Sequence, residues 1–267
     1  MRIVIAQQLN LFWLALSFFS RLPTPANLNY TPEKMHSAGT YFSLVGWLLA
    51  IIMVISYQLL VPFIGIQPSV CIILVLNLLL TGAFHQDGLA DMFDGFFGGY
   101  QREQKLTIMK DSRIGTYGSC ALIMSLLLQF VLLSALAEQQ QLLLALCISY
   151  PLSRAMALSH VQSAEYVAAG ERDLSKSTSL VSAYSLPQLL MLFAIGSLGL
   201  WWLPLSQILL LVLGCFVLRA LLQNRFQQHI GGITGDCLGA AQQFQEVLIY
   251  LLLLAMLSPV TSTAVVG

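Results

Sequence analysis

The sequence is short of charge. Only 9% of its 267 residues are Asp, Glu, Lys or Arg, twelve acidic and twelve basic, so the formal net charge is zero. An ordinary soluble domain carries about 25% charged residues. The shortage excludes a solvated surface of normal extent. The zero balance excludes a global basic field, and no nucleic-acid partner is expected. Cysteines are few and scattered: Cys71, Cys120, Cys147, Cys215 and Cys237. Their odd number and the lack of a CxxC pair exclude a disulfide frame and a zinc site, so they read as small apolar residues. There is no internal repeat and no low-complexity segment. What the chain has is apolar surface, 57% hydrophobic residues and a mean hydropathy of +0.79. It reads as an all-α, polytopic membrane bundle of about six to eight transmembrane helices, one domain over residues 1–267.

The N-terminal stretch has the outline of a signal peptide, Arg2 followed by the apolar run from Leu11 to Phe19. Gln7, Gln8 and Asn10 interrupt it and no A-x-A site follows, so residues 1–40 are read as a retained helix in or dipping into the interface, then a loop. Arg21-Leu22-Pro23-Thr24-Pro25 ends that helix. Apolar spans are expected at about 41–61, 69–84, 117–137, 142–159, 185–203, 206–222 and 244–258. Trp201, Trp202 and Pro204 mark an interfacial belt. If the spans alternate, the region before 41 and the polar stretches 85–116, 160–184 and 223–243 share one side. The turns near 65, 140 and 204 and the tail after 258 share the other, where Glu138 is the clear charge. The second polar stretch holds Glu165, Glu171, Arg172, Asp173 and Lys176; the third holds Arg225 and His229. The first side has nearly every Lys and Arg, which makes it cytoplasmic. The odd number of spans leaves open whether the first helix crosses. No span centre is expected to carry an acid. Arg154 and Arg219 lie near cytoplasmic span ends, either snorkelling to the headgroups or facing inward toward the acids or a substrate phosphate.

Charge concentrates in one window, the acidic signature loop of residues 85–118. It holds nine of the 24 charged side chains: Asp87, Asp91, Asp94, Arg102, Glu103, Lys105, Lys110, Asp111 and Arg113. Asp87, Asp91 and Asp94 are spaced i, i+4, i+7, which on a helix puts them within about 60° on one face. Stacked carboxylates repel, and a cation relieves the repulsion. Oxygen ligands of this kind favour Mg²⁺ or Mn²⁺ over zinc. The plainer reading is a solvated helix face at a membrane boundary. Gly88, Gly95, Gly98 and Gly99 admit a phosphate or another backbone, and Gly115 and Gly118 leave room at the mouth of the next span. Lys110 and Arg113 are either a juxtamembrane basic turn or a clamp for diphosphate oxygens. His85 is either an interfacial histidine bonded to a carbonyl or a general base or metal-supporting group. The glycine-rich loop Gly231–Gly239, within the polar stretch 223–243, supplies one further acid, Asp236, able to complete a metal site. His160 and His229 carry no assignment. Acids on a membrane helix, Mg²⁺ and basic side chains together fit transfer of a phosphate-bearing group from a nucleotide diphosphate.

The stretches His85-Gln86-Asp87-Gly88-Leu89-Ala90-Asp91-Met92-Phe93-Asp94-Gly95 and Ile108-Met109-Lys110-Asp111-Ser112-Arg113-Ile114-Gly115-Thr116-Tyr117-Gly118 resemble the signature of the cobalamin synthase (adenosylcobinamide-GDP ribazoletransferase) family. Phe19-Ser20-Arg21-Leu22-Pro23-Thr24-Pro25 and Gly231-Gly232-Ile233-Thr234-Gly235-Asp236-Cys237-Leu238-Gly239-Ala240 extend the resemblance over essentially the whole chain. Residues of about 160–200 match no signature of that family. The resemblance implies a Mg²⁺-dependent enzyme of a bacterial or archaeal inner membrane, its site facing the cytoplasm. It implies that adenosylcobinamide-GDP is joined to α-ribazole, or its 5′-phosphate, with release of GMP and formation of adenosylcobalamin or its 5′-phosphate. By the same resemblance Asp87, Asp91 and Asp94 take the metal role, and Asp236 a metal or base role. Lys110 and Arg113 match its basic motif, and a diphosphate role for them, with Arg154 as a further phosphate contact, is the accompanying inference. His85 and Asp236 both stand as candidate general bases. A homo-oligomer, or association with other corrinoid-assembly enzymes, is compatible with this reading.

Two other classes compete. A CDP-alcohol phosphotransferase uses a D-x-x-D-G element ahead of Ala-Arg with two acids downstream; here the spacing is D-x-x-x-D-x-x-D-G and no Ala-Arg follows. An ion-coupled transporter keeps acids near the bilayer midplane, whereas here the acids cluster at one membrane face.

Overall fold

The computed structural model describes residues 2–167, 180 and 182–257. The expected charges at Glu171, Arg172, Asp173 and Lys176, and the tail after 258, lie outside the described residues. Eleven α-helices are described: α1 (Arg2–Phe19), α2 (Pro32–Ala38), α3 (Phe42–Ile64), α4 (Ile66–Thr81), α5 (Phe84–Gly98), α6 (Arg102–Met109), α7 (Thr116–Glu138), α8 (Leu142–Leu158), α9 (Leu186–Gly196), α10 (Leu205–Ile230) and α11 (Gly235–Leu257). There is no strand among the described residues, only an isolated parallel bridge between Tyr166 and Ile233. Five helical segments are long and apolar enough to cross a membrane, or six if the bent pair α4–α5 counts as one. That is the lower end of the expected number. The difference lies at 185–203: α9 has 11 residues and gives way to a 3-10 stretch, Leu198–Trp202.

The core is the contact of α8 and α11 with α3, α5 and α7. Residues of α8 from Ser149 through Leu158 are all buried, as expected of a span ringed by other helices. The flanking helices α7 and α10 keep apolar side chains on their outer faces, among them Ile123, Leu127, Leu209 and Leu213. An apolar outer face is what a lipid-bounded bundle needs, since lipid replaces water there.

α1 settles across one end of the bundle. The Tyr41 hydroxyl donates to Gln8 and Phe19 stacks on Phe42 at 3.8 Å, so two points far apart on α1 meet the same end of α3.

The polar window of 85–118 is not a loop. It folds into α5, α6 and the start of α7, because its apolar residues Leu89, Met92, Phe96, Leu106 and Met109 recur on inward faces. The turn into it is tight. Gly82 and Ala83 both take left-handed backbone angles, φ +64° and +54°, and α5 leaves α4 at 86°. Glycine adopts such angles without strain, and at residue 82 a Cβ would also strike the Arg21 guanidinium at 2.3 Å. The N-terminal motif thus braces the turn that sends α5 off at a steep angle from α4. The glycine-rich stretch 223–243 likewise shrinks to four residues, 231–234, between α10 and α11.

Candidate active site

Asp236 reaches the acid face of α5 through glycine packing. A Cβ on Gly88 would lie 2.9 Å from the Asp236 Cα and carbonyl oxygen, and one on Gly239 would lie 3.3 Å from the His85 Cα. Only glycines let α11 start this close to α5. Thr234 caps α11, its hydroxyl accepting the Cys237 N–H at 3.3 Å, which leaves Asp236 in the first turn where the helix dipole favours an anion. Asp87 is exposed and Asp91 and Asp236 are half-buried. Burial first, then the charges of Asp236, Asp87 and Asp94, raise the Asp91 carboxyl to about 7. Three acids on α5 and one on α11 therefore share a single negative field. Among the described residues no three Asp, Glu, His or Cys side chains form a ready-made metal cage.

Asp94 does a different job from its neighbours. Its oxygens accept backbone N–H groups from Gly115 at 2.6 Å and Gly118 at 2.8 Å. It thereby satisfies donors at the start of α7 that have no partner within the helix. A Cβ at either glycine would fall 2.4 Å from an Asp94 oxygen. The room expected at Gly115 and Gly118 is filled by this carboxylate, which caps α7. Gly95 and Gly99 serve helix packing too: each would otherwise press a Cβ to 2.9 Å from the Lys105 backbone.

The basic motif flanks the acids on the segment joining α6 to α7. Arg113, its side chain 86% exposed, forks onto Asp111 with Nε at 3.0 Å and a terminal nitrogen at 2.5 Å. Those hydrogen bonds hold the Asp111 carboxyl down at about 2. Arg113 is thus tied to its own neighbour in this state. Lys110 is exposed at the C-terminal cap of α6.

Four expectations are corrected. His85 is only 2% exposed, stacks on Phe42 at 5.7 Å and lines a small cavity of about 30 Å³. It lies on the side of α5 turned from Asp87, so it does not reach the acid face as a base. Arg154 neither snorkels nor meets a phosphate: it is 1% exposed, donates to the Tyr150 carbonyl at 2.7 Å and faces Glu246 at 3.9 Å. Glu246 stands midway along α11, so a span centre does carry an acid. Arg219, likewise, turns back on the end of α8, donating to the Ser159 carbonyl at 2.8 Å and to the Ser163 hydroxyl at 2.8 Å.

The sequence reading missed the polar network around that pair. Gln242 donates to Glu246 at 2.5 Å and to Ser153 at 3.1 Å; the Tyr250 hydroxyl donates to Glu246 at 3.2 Å. Gln243 donates to Gln242 at 2.6 Å and accepts from Gln129 at 2.9 Å and Gln86 at 3.4 Å. The network runs from the buried side of α5 into the middle of the bundle. Its signal in the sequence is the cluster Gln242, Gln243, Gln245 and Glu246 inside an otherwise apolar helix. His229, left unassigned, stacks on Phe96 at 4.3 Å with Lys105 Nζ 3.2 Å from its Nδ1, and His160 sits 2.7 Å from Gln223.

The family model described as cobalamin-5-phosphate synthase matches residues 11–254. This chain belongs to that family. An adenosylcobinamide-GDP ribazoletransferase from Pseudoalteromonas atlantica is 52% identical over 260 residues, covering 97% of this chain and 96% of that one. A protein of the same name from Vibrio cholerae is 46% identical over 257 residues, covering 96% and 98%. One from Shewanella woodyi is 43% identical over 253 residues, covering 94% and 98%. No solved structure matches the chain. The cobalamin-5-phosphate synthase match spans every element of the site, from the Arg21 brace through the α5 acids to Asp236.

Proposed function

We propose that the chain is an adenosylcobinamide-GDP ribazoletransferase of a bacterial inner membrane, with its acid face in the cytoplasm. The observation that carries the reading is the meeting of Asp236 with Asp87 and Asp91 within a family whose relatives bear that name. The cytoplasmic placement rests on the basic residues gathered on the side of the bundle that holds α5 and α6.

The ribazole 3′-oxygen bonds to the phosphorus that carries cobinamide. The bond from that phosphorus to the bridging oxygen breaks, and GMP leaves with the electron pair. The hydroxyl proton passes to a base, and Asp236 suits that role, being half-buried at the rim of the site while His85 is enclosed elsewhere. Asp87, Asp91 and Asp236 fit a hard cation held jointly with the substrate. Mg²⁺ is usually bound through one or two carboxylates plus substrate phosphates instead of an all-protein cage, and this loose acid group suits that arrangement. When bound, the ion neutralises diphosphate charge and eases departure of GMP. Arg113 exchanges Asp111 for diphosphate oxygens, and Lys110 adds a second positive charge. Asp94 fixes the α7 wall beside them.

A CDP-alcohol activity would release CMP. The transporter class draws nothing from Glu246, because Arg154 faces it and Gln242 and Tyr250 bond to it, which makes it a closed structural pair. Purified protein in nanodiscs with adenosylcobinamide-GDP, α-ribazole and Mg²⁺ should release GMP and form a cobalamin product. No GMP under any lipid composition would sink the proposal.

A further inference from the structure

A cleft of about 480 Å³ opens between α5, α7 and α11. Its walls include Leu89, Phe93 and Phe97 of α5, Tyr117 and Cys120 of α7, and Phe244 of α11. Four of these form a fan of rings. Phe93 lies 5.4 Å from Phe97 and 6.1 Å from Phe244, and Phe97 lies 5.8 Å from Tyr117, with interplanar angles of 30–37°. No lining residue is charged. Of its polar side chains, Gln243 is engaged with Gln129, Gln242 and Gln86, and Ser125 accepts from Gln129, while Tyr117 and Cys120 add a hydroxyl and a thiol. The cleft therefore suits a flat apolar body and offers nothing to an ion. The cleft borders the acids at one end. Asp94 lies one helical turn from Phe97 on α5 and holds Gly115 and Gly118 on either side of Tyr117.

We infer that this cleft seats the dimethylbenzimidazole ring of α-ribazole and so sets which nucleoside is accepted. The inference rests on the transferase reading and adds a site to it. Of the parts the two reactants present, phosphates are charged, guanine has a polar edge, the ribose carries hydroxyls and the corrin is rimmed with amides. Only the benzimidazole is flat, small, uncharged and apolar, and offset aromatic packing is the geometry such a ring prefers. Pockets for ligands of this size run from about 300 to 1,000 Å³. With the ring in the fan, the attached ribose lies toward the Phe97 and Tyr117 end of the cleft, the end that Asp94 borders.

Cys120 gives a direct probe, since it is exposed on the cleft wall, and Cys71 on α4 is an exposed internal control. In nanodiscs, α-ribazole should slow maleimide labelling of Cys120 and leave Cys71 unchanged. Phe97 and Tyr117 are 57% and 50% exposed, so trimming them spares the core. Phe97→Ala and Tyr117→Ala should each raise KM for α-ribazole about tenfold, the scale of one lost ring contact. KM for adenosylcobinamide-GDP should stay the same. If wild type turns over yet α-ribazole leaves Cys120 labelling unchanged, or neither KM moves, the cleft assignment is overturned and the transferase reading stands. Cys120 labelling that follows acyl-chain length and ignores α-ribazole assigns the cleft to lipid and also overturns it. If wild type releases no GMP at all, the transferase reading itself has failed.

Discussion

Gly88 lies against Asp236, so closely that a Cβ at residue 88 would sit 2.9 Å from the Asp236 Cα. This approach joins the acid face of α5 to the first turn of α11 and makes one site from two distant motifs. Gly88→Val should push the helices apart. The expected cost is about 1–3 kcal/mol of stability, with a far larger loss of GMP release than thermal melting of the detergent-solubilised protein would explain. Full activity in a folded Gly88→Val protein would show that the contact does not form the site.

Asp94 binds α7 and, on this account, acts by position. Asp94→Asn keeps one acceptor oxygen and should retain more stability and turnover than Asp94→Ala, which leaves two donors without a partner at about 1–3 kcal/mol each. Thermal melts and initial rates of both variants check the order. Equal and total loss of turnover in both, with unchanged melts, would mark Asp94 as a metal ligand after all.

Arg154 and Glu246 are a buried pair, each 1% exposed. Arg154→Ala should cost about 3–5 kcal/mol, because it leaves a carboxylate alone in the bundle, and Arg154→Met with Glu246→Leu should recover most of that loss. Denaturant unfolding in mixed micelles measures both. A single variant as stable as wild type would contradict the pairing.

Arg113 is expected to change partners. Because its side chain is exposed, Arg113→Lys should move stability by no more than about 0.5 kcal/mol. The loss of its planar fork should raise KM for adenosylcobinamide-GDP about tenfold while KM for α-ribazole holds. Steady-state kinetics with each substrate varied in turn separates the two.

The composition and charge map of the sequence were enough to find the membrane class and the acids at 87, 91 and 236 that the fold brings near one another. It was not enough for Glu246, where a lone acid in an apolar run gives no periodic signal and its partner Arg154 sits on another helix. Asp94 shares the spacing of Asp87 and Asp91, and spacing cannot show its capping bonds, because the partners, Gly115 and Gly118, come from the next element. The window 85–118 looked like a loop because its polar residues outnumber its core contacts, yet Leu89, Met92 and Phe96 suffice to bury one face of a helix. The span at 185–203 was over-read because apolar content does not reveal that α9 gives way to a 3-10 stretch before Pro204.

Removal of the divalent ion should abolish transfer without unfolding the bundle, because its core is the apolar contact of α8 and α11 with their neighbours. EDTA should bring GMP release to background, added Mg²⁺ should restore it, and circular dichroism should show unchanged helix throughout. Turnover that persists in EDTA would remove the ion from the account.

The most direct test of a single composite site is the coupling between Asp91 and Asp236. Turnover of Asp91→Ala, Asp236→Ala and the double variant is compared with wild type under saturating substrates and Mg²⁺. Residues acting as one unit give non-additive losses, so each single variant should fall at least about 100-fold and the double should be no worse than the poorer single. A single variant at the wild-type rate, or losses that multiply in the double, would contradict a site shared by α5 and α11.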